Sequence, residues 1–254
     1  MHSTARHKTI MEIKEQTKPK TDQSTASPAN YAVFVPAAPS RATRKISKRS
    51  KVSGRAFLTK QTAKQGKSQT IAVESLLELK VLSILLAKPV TMDVLEQPPA
   101  IRYTDPSGCN RSHTFDFLWM HTDGTRIAVV VKPASKAAKP EFQAELKAIR
   151  AALRKDFAHR LILVTDADFT RDEALNAQRL LMFCPHIQPE HAVRLDAVLP
   201  TLIYPLSLGE IIDVLNIGAA GFGTLLPALY DGRLVADPSA EFTHATRIDR
   251  GGFA

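Results

Sequence analysis

Only two cysteines occur in 254 residues, Cys109 and Cys184. They stand far apart, neither has a second ligand at metal spacing, and disulfide frameworks and zinc ribbons are thereby excluded. Long apolar runs are missing too. No stretch of about 18 uncharged apolar residues exists, since the nearest approach, Leu76 to Leu86, is broken by Glu78 and Lys80. A transmembrane helix is therefore not expected. Met1 to Asn30 carries Lys, Glu and Asp where a signal peptide needs an apolar stretch, so the expectation is a cytoplasmic protein. The chain shows no glycine-rich nucleotide-binding loop, no Ser/His/Asp order and no internal repeat.

Acids are absent between Asp22 and Glu74. Residues 1–70 hold 15 Lys/Arg against 3 Asp/Glu, so the whole excess of the +9 net charge sits there and the remainder is slightly acidic. Arg41, Arg44, Lys45, Lys48, Arg49, Lys51 and Arg55 form its densest part, with Lys60, Lys64 and Lys67 beyond. Such a segment repels itself when free and calls for a polyanion, with DNA or RNA backbone as the leading partner. A solvated tail is the alternative, because Tyr31, Phe34 and Phe57 are too sparse to offer a stacking platform.

With 44% apolar and 23% charged residues, the rest can bury a sizeable core. Residues 1–30 lack apolar periodicity and read as disordered, whereas residues 31–67 have enough apolar side chains to dock with their charges outward. Leu76, Leu77, Val81, Ile84 and Leu85 recur at helical spacing, which predicts a helix over Glu74 to Lys88, ended by Pro89. Extended segments follow at Val90 to Gln97, Ala100 to Thr104, His113 to Met120 and Arg126 to Val131, with Asp123-Gly124 marking a hairpin. A second helix runs from Pro140 to about Phe157, and Arg160 to Thr165 reads as a buried strand. Helices are expected at Arg171 to Phe183, Pro189 to Leu202, Ser207 to Asn216 and Phe222 to Asp231, then short β-like runs at Arg233 to Ala236 and Phe242 to Ile248. Helix, turn, helix and hairpin outline a winged helix, with a helical cap as the alternative. The fold expected is α/β, in three parts: a basic arm over 1–54, an α/β core over 55–168 and a helical, winged-helix-like domain over 170–254.

Charges embedded among apolar strand residues carry the chemistry. Asp116 lies within His113 to Trp119, and Lys132 ends Ala128 to Val131; each is costly there without a purpose. Adjacent strands bring their ends into one cleft, and Glu78 sits on the helix that would cover that sheet. Two carboxylates suit a hard cation such as Mg2+ or Mn2+ bridging to phosphate, while a lysine stabilises developing charge. A buried Asp116–Lys132 ion pair with an exposed Glu78 is the bland alternative. Asp166 and Asp168 could form a second acidic site or simply cap the next helix. His113 and His121 lack metal spacing, and Trp119 reads as core.

Glu74-Ser-Leu-Leu-Glu78, Asp93-Val-Leu-Glu-Gln-Pro98, Thr114-Phe-Asp-Phe-Leu118, Asp123-Gly124 and Val130-Val-Lys-Pro-Ala134 follow in an order that resembles the TnsA endonucleases. These are PD-(D/E)XK, restriction-enzyme-like subunits of heteromeric transposons, and the likeness spans roughly residues 41–170. The resemblance implies a restriction-endonuclease-like core followed by a winged-helix domain. It implies metal-dependent nicking of transposon 5′ ends beside a DDE transposase, under an AAA+ ATPase regulator. Glu78 and Asp116 would be metal ligands together with the Val131 backbone carbonyl, and Lys132 the catalytic lysine. The family carries Gln or Glu two residues before that lysine, where this chain has Val130, which cannot ligate; Glu74 is a conceivable substitute. Three readings follow: an endonuclease with a thinned site, a cleavage-deficient DNA-binding assembly subunit, or a winged-helix transcription regulator.

Overall fold

Strands β1 (Ala56–Gln61) and β2 (Ser68–Val73) pair antiparallel with Leu58 opposite Ile71, and β2 delivers Ile71, Ala72 and Val73 to the core. They belong to a computed structural model that describes residues 36–44, 54–61 and 68–252. Helix α1 (Leu76–Leu86) begins where the Ser75 hydroxyl accepts the N–H of Glu78 at 3.1 Å, a cap that leaves Glu74 outside the helix. Val81, Leu82, Leu85 and Leu86 are its buried face.

The central sheet has four strands in the order β3 (Thr91–Glu96), β6 (Phe117–His121), β7 (Arg126–Val131), β8 (Arg160–Val164). Its first two pairings are antiparallel and β7 with β8 is parallel, so their connection must return across the sheet, through α2 (Ala134–Ala137) and α3 (Pro140–Ala151). Between β3 and β6 stands a separate hairpin, β4 (Ile101–Thr104) with β5 (Asn110–His113). The single strand expected over His113 to Met120 is thus two, paired with different partners. Residues 114–116 cross from one ladder to the other.

Successive strand residues face opposite sides. On β7, Ile127, Val129 and Val131 join Val94, Phe117, Trp119 and the α1 leucines in one cluster; Ala128 and Val130 join Phe115, Leu118, Leu146 and Ile149 in another. A strand covered on both faces reads as an unbroken apolar run, as Ile127 to Val131 does.

Beyond β8 come α4 (Arg171–Phe183), α5 (Pro189–Val198), β9 (Leu206–Ser207), α6 (Leu208–Leu215), α7 (Gly221–Tyr230), β10 (Leu234–Val235) and β11 (Arg247–Arg250). The last strand begins at Arg247, near the end of the run expected over Phe242 to Ile248, most of which is a loop, and the helix from Pro140 stops six residues short of Phe157, at Ala151. Ser207 and Glu210 form a full capping box on α6. Gly221 lets α7 lie on α6, since a Cβ there would fall 2.6 Å from Ile212 Cγ2. Strands β10, β11 and β9 make an antiparallel sheet in that order. Helix α4 contacts both α1 and α7. Among the described residues no helix is long and apolar enough to cross a membrane.

Candidate active site

Asp116 occupies a bend just before β6, not the strand interior the sequence suggests. Its N–H donates to Val129 C=O at 3.1 Å, its C=O accepts Gln97 N–H at 2.9 Å, and its Oδ2 accepts Val131 N–H at 2.7 Å. Bonds to two backbone segments, β7 and the residue after β3, therefore fix Asp116, and the β7 bond from Val131 fixes its carboxylate. Burial pushes that carboxyl up to about 6 from an ordinary 3.8, opposed by the Val131 bond; Glu78 adds to the rise, and Lys132 and Arg44 counter it. Glu78, Lys132 and Arg44 all act electrostatically on this one group.

Lys132 follows β7 directly, its N–H donating to Val164 C=O at 3.1 Å. Its half-buried side chain also acts on His113. Among the described residues it forms no direct ion pair, so the bland Asp116–Lys132 bridge is not what the geometry shows. Glu78 is engaged locally: one oxygen accepts Glu74 N–H at 2.9 Å and the other the Ser75 hydroxyl at 2.8 Å. It caps its own helix, and its charge acts on Asp116.

The head of the basic run is also engaged. Arg41 holds Asp93 through two bonds of 2.7 and 2.9 Å and reaches Val94 C=O at 3.0 Å, while Arg44 pairs with Glu74. Both arginines remain exposed, in keeping with the outward expectation for residues 31–67, but each is met by an acid of the core. Arg55 is exposed; Lys45, Lys48, Arg49 and Lys51 lie outside the described residues. Neither Asp166 nor Asp168 caps the next helix, whose N-cap is Thr170: Asp166 accepts Ala134 N–H at the start of α2, and Asp168 accepts the N–H and hydroxyl of Thr165. Trp119 is core, its indole N–H donating to the Thr91 hydroxyl at 2.8 Å. His113 stands edge-on to Phe115, and burial holds its imidazole below the usual range.

Two residues escaped sequence reading as site-builders. Gln97 is buried at φ 40° and carries the N–H that fixes Asp116 C=O. Glu96 is fully buried and accepts the Ser40 hydroxyl at 2.5 Å and Arg41 N–H at 2.9 Å. A Glu-Gln pair closing a strand before Pro98 was the available signal.

Among the described residues no group of three or more His, Cys, Asp or Glu is placed to hold a metal ion. Asp116 Oδ1 is reached by no described donor, both Glu78 oxygens serve the helix end, and Val130 is sealed in apolar packing at 0% exposure. Magnesium keeps several waters and is held through one or two carboxylates plus substrate phosphates. One open carboxylate oxygen is compatible with that mode and does not make an all-protein cage. No known family model matches the chain, and no curated protein matches it.

Proposed function

We propose that this chain is the DNA endonuclease subunit of a heteromeric transposase, with a restriction-endonuclease-like core and a winged-helix-like C-terminal part. The order α1, β3, β6, β7, α3, β8 supports the first; β9, α6, α7, β10, β11 with its three-stranded sheet supports the second. The observation that carries the reading is Asp116, a buried carboxylate fixed by the Val131 N–H through one oxygen, with no described donor on the other, and within electrostatic reach of Lys132 and Arg44. A desolvated carboxylate with no direct ion-pair partner among the described residues is the kind of group that functional sites keep.

DNA would enter with its scissile phosphate over Asp116. Lys132 stabilises charge developing on the phosphoryl oxygens, and the carboxylate is ionised above about pH 6, which sets the acid limb of activity. A bound Mg2+ or Mn2+, held by Asp116, Glu78 and the Val131 carbonyl, would supply Lewis acidity to the phosphoryl group. The partners are DNA, a DDE transposase and an AAA+ ATPase, in the cytoplasm. The test is nicking of transposon-end DNA with Mg2+ or Mn2+, with and without the transposase of the same element. Asp116→Ala and Lys132→Ala should abolish the cut while leaving DNA binding in place.

A second reading, a cleavage-deficient DNA-binding assembly subunit, is favoured by Val130 and by the occupied oxygens of Glu78. Under it, wild type cuts nothing with partners present yet binds DNA and supports assembly. The regulator reading has less support, because α7, the helix that would enter a groove, contains neither Lys nor Arg.

A further inference from the structure

The β4–β5 hairpin belongs to no larger sheet, yet it is firmly anchored. Tyr103 is its root: the ring is buried among Phe115, Leu146 and Ile149, and the hydroxyl donates to Glu145 Oε1 at 2.5 Å. The opposite face is wholly polar. Arg102 lies across from Ser112 and Thr104 across from Asn110, so all four share that face, and all four are exposed. They are hydrogen-bond donors of the kinds that contact phosphate and base edges, and no carboxylate stands among them.

The hairpin's one acid is internally consumed. Asp105 accepts the N–H and hydroxyl of Ser107, the N–H of Cys109 and the Arg111 guanidinium, bonds that hold its carboxyl far below the usual range, the Ser107 hydroxyl foremost. An anion approaching the ribbon therefore meets Arg102 without an unneutralised carboxylate beside it. The base of the ribbon adjoins the site: His113, its last residue, feels the charge of Lys132, and Asp116 follows three residues later.

We infer that the β4–β5 hairpin is a DNA-docking ribbon that lays its Arg102, Thr104, Asn110 and Ser112 face against duplex DNA and leads the phosphate backbone to Asp116. A two-stranded ribbon is of a width the major groove admits. Its role deepens the endonuclease reading and depends on the protein binding DNA.

Cys109 at the ribbon's turn supplies the probe, since it is exposed, whereas Cys184 is half-buried with its thiol pushed up to about 11 by burial. The full-length protein is alkylated with and without a saturating random-sequence duplex, and modification at each cysteine is followed by mass spectrometry. DNA should slow alkylation of Cys109 several-fold and leave Cys184 unaffected. Arg102→Glu, at an exposed position that folding does not need, should melt like wild type, lose that protection, bind about tenfold more weakly and flatten the slope of log K against log salt by about 1. Binding by wild type with no protection of Cys109, or an unchanged affinity for Arg102→Glu, overturns the ribbon alone. Failure of wild type to bind duplex at all overturns the ribbon and the endonuclease reading together.

Discussion

Asp116→Asn separates a site held at the expense of stability from an ordinary structural acid. Burial raises the native carboxyl to about 6 from 3.8, so the folded protein holds that proton more tightly than the unfolded chain does. This group then favours the native state most below the ordinary carboxylate pKa, loses that advantage as pH rises through about 6, and stays unfavourable above it. The shift corresponds to about 3 kcal/mol at neutral pH. Asparagine does not ionise, and its Oδ1 can still accept the Val131 N–H. Asp116→Asn should therefore be more stable than wild type at about pH 8 by up to about 3 kcal/mol, or about 6–12 °C in Tm for a protein of this size. The two should converge near pH 4. Urea or thermal denaturation across that range reads the difference, and Mg2+ should stabilise wild type but not the variant. A stability gap that does not grow with pH, or a wild type more stable at about pH 8, would refute the desolvated-carboxylate account.

Three further outcomes follow from packing and capping. Val130→Glu places a carboxylate where Phe115, Leu146 and Ile149 cluster; rather than restoring a ligand it should cost several kcal/mol, about 3–5, seen as a lowered urea midpoint that Mg2+ does not rescue. Ser75→Ala removes the α1 cap and one of the two donors on Glu78, and should lower stability by about 1 kcal/mol in the same assay. Gly221→Ala drives a methyl into Ile212 and should cost about 1–3 kcal/mol, with the loss of order confined by hydrogen exchange to α6 and α7.

Much of the architecture was legible because local rules decide it. The periodic run and Thr170 cap of α4 give Arg171–Phe183 as read, and Asp123-Gly124 turns β6 into β7 with Gly124 at φ 84°. The α1 boundaries shifted because a cap, not the apolar period, sets the first turn. The candidate site was half legible: Asp116 and Lys132 betray themselves as charges among apolar neighbours, but Gln97 and Glu96 do not, since their roles come from chain crossings rather than from spacing.

The sequence by itself determined roughly where most helices and turns lie, that Asp116 and Lys132 stand among apolar neighbours, and that an acid-free basic stretch precedes the core. Each follows from interactions within a few residues along the chain. Only the tertiary structure decided that His113 to Met120 divides between two ladders, and that Arg41 and Arg44 are met by Asp93 and Glu74, 52 and 30 positions away. The same holds for the Tyr103 anchor that turns β4–β5 into a freestanding ribbon. Strand partners and long-range ion pairs depend on which distant segments close upon one another, and residue spacing carries no record of that.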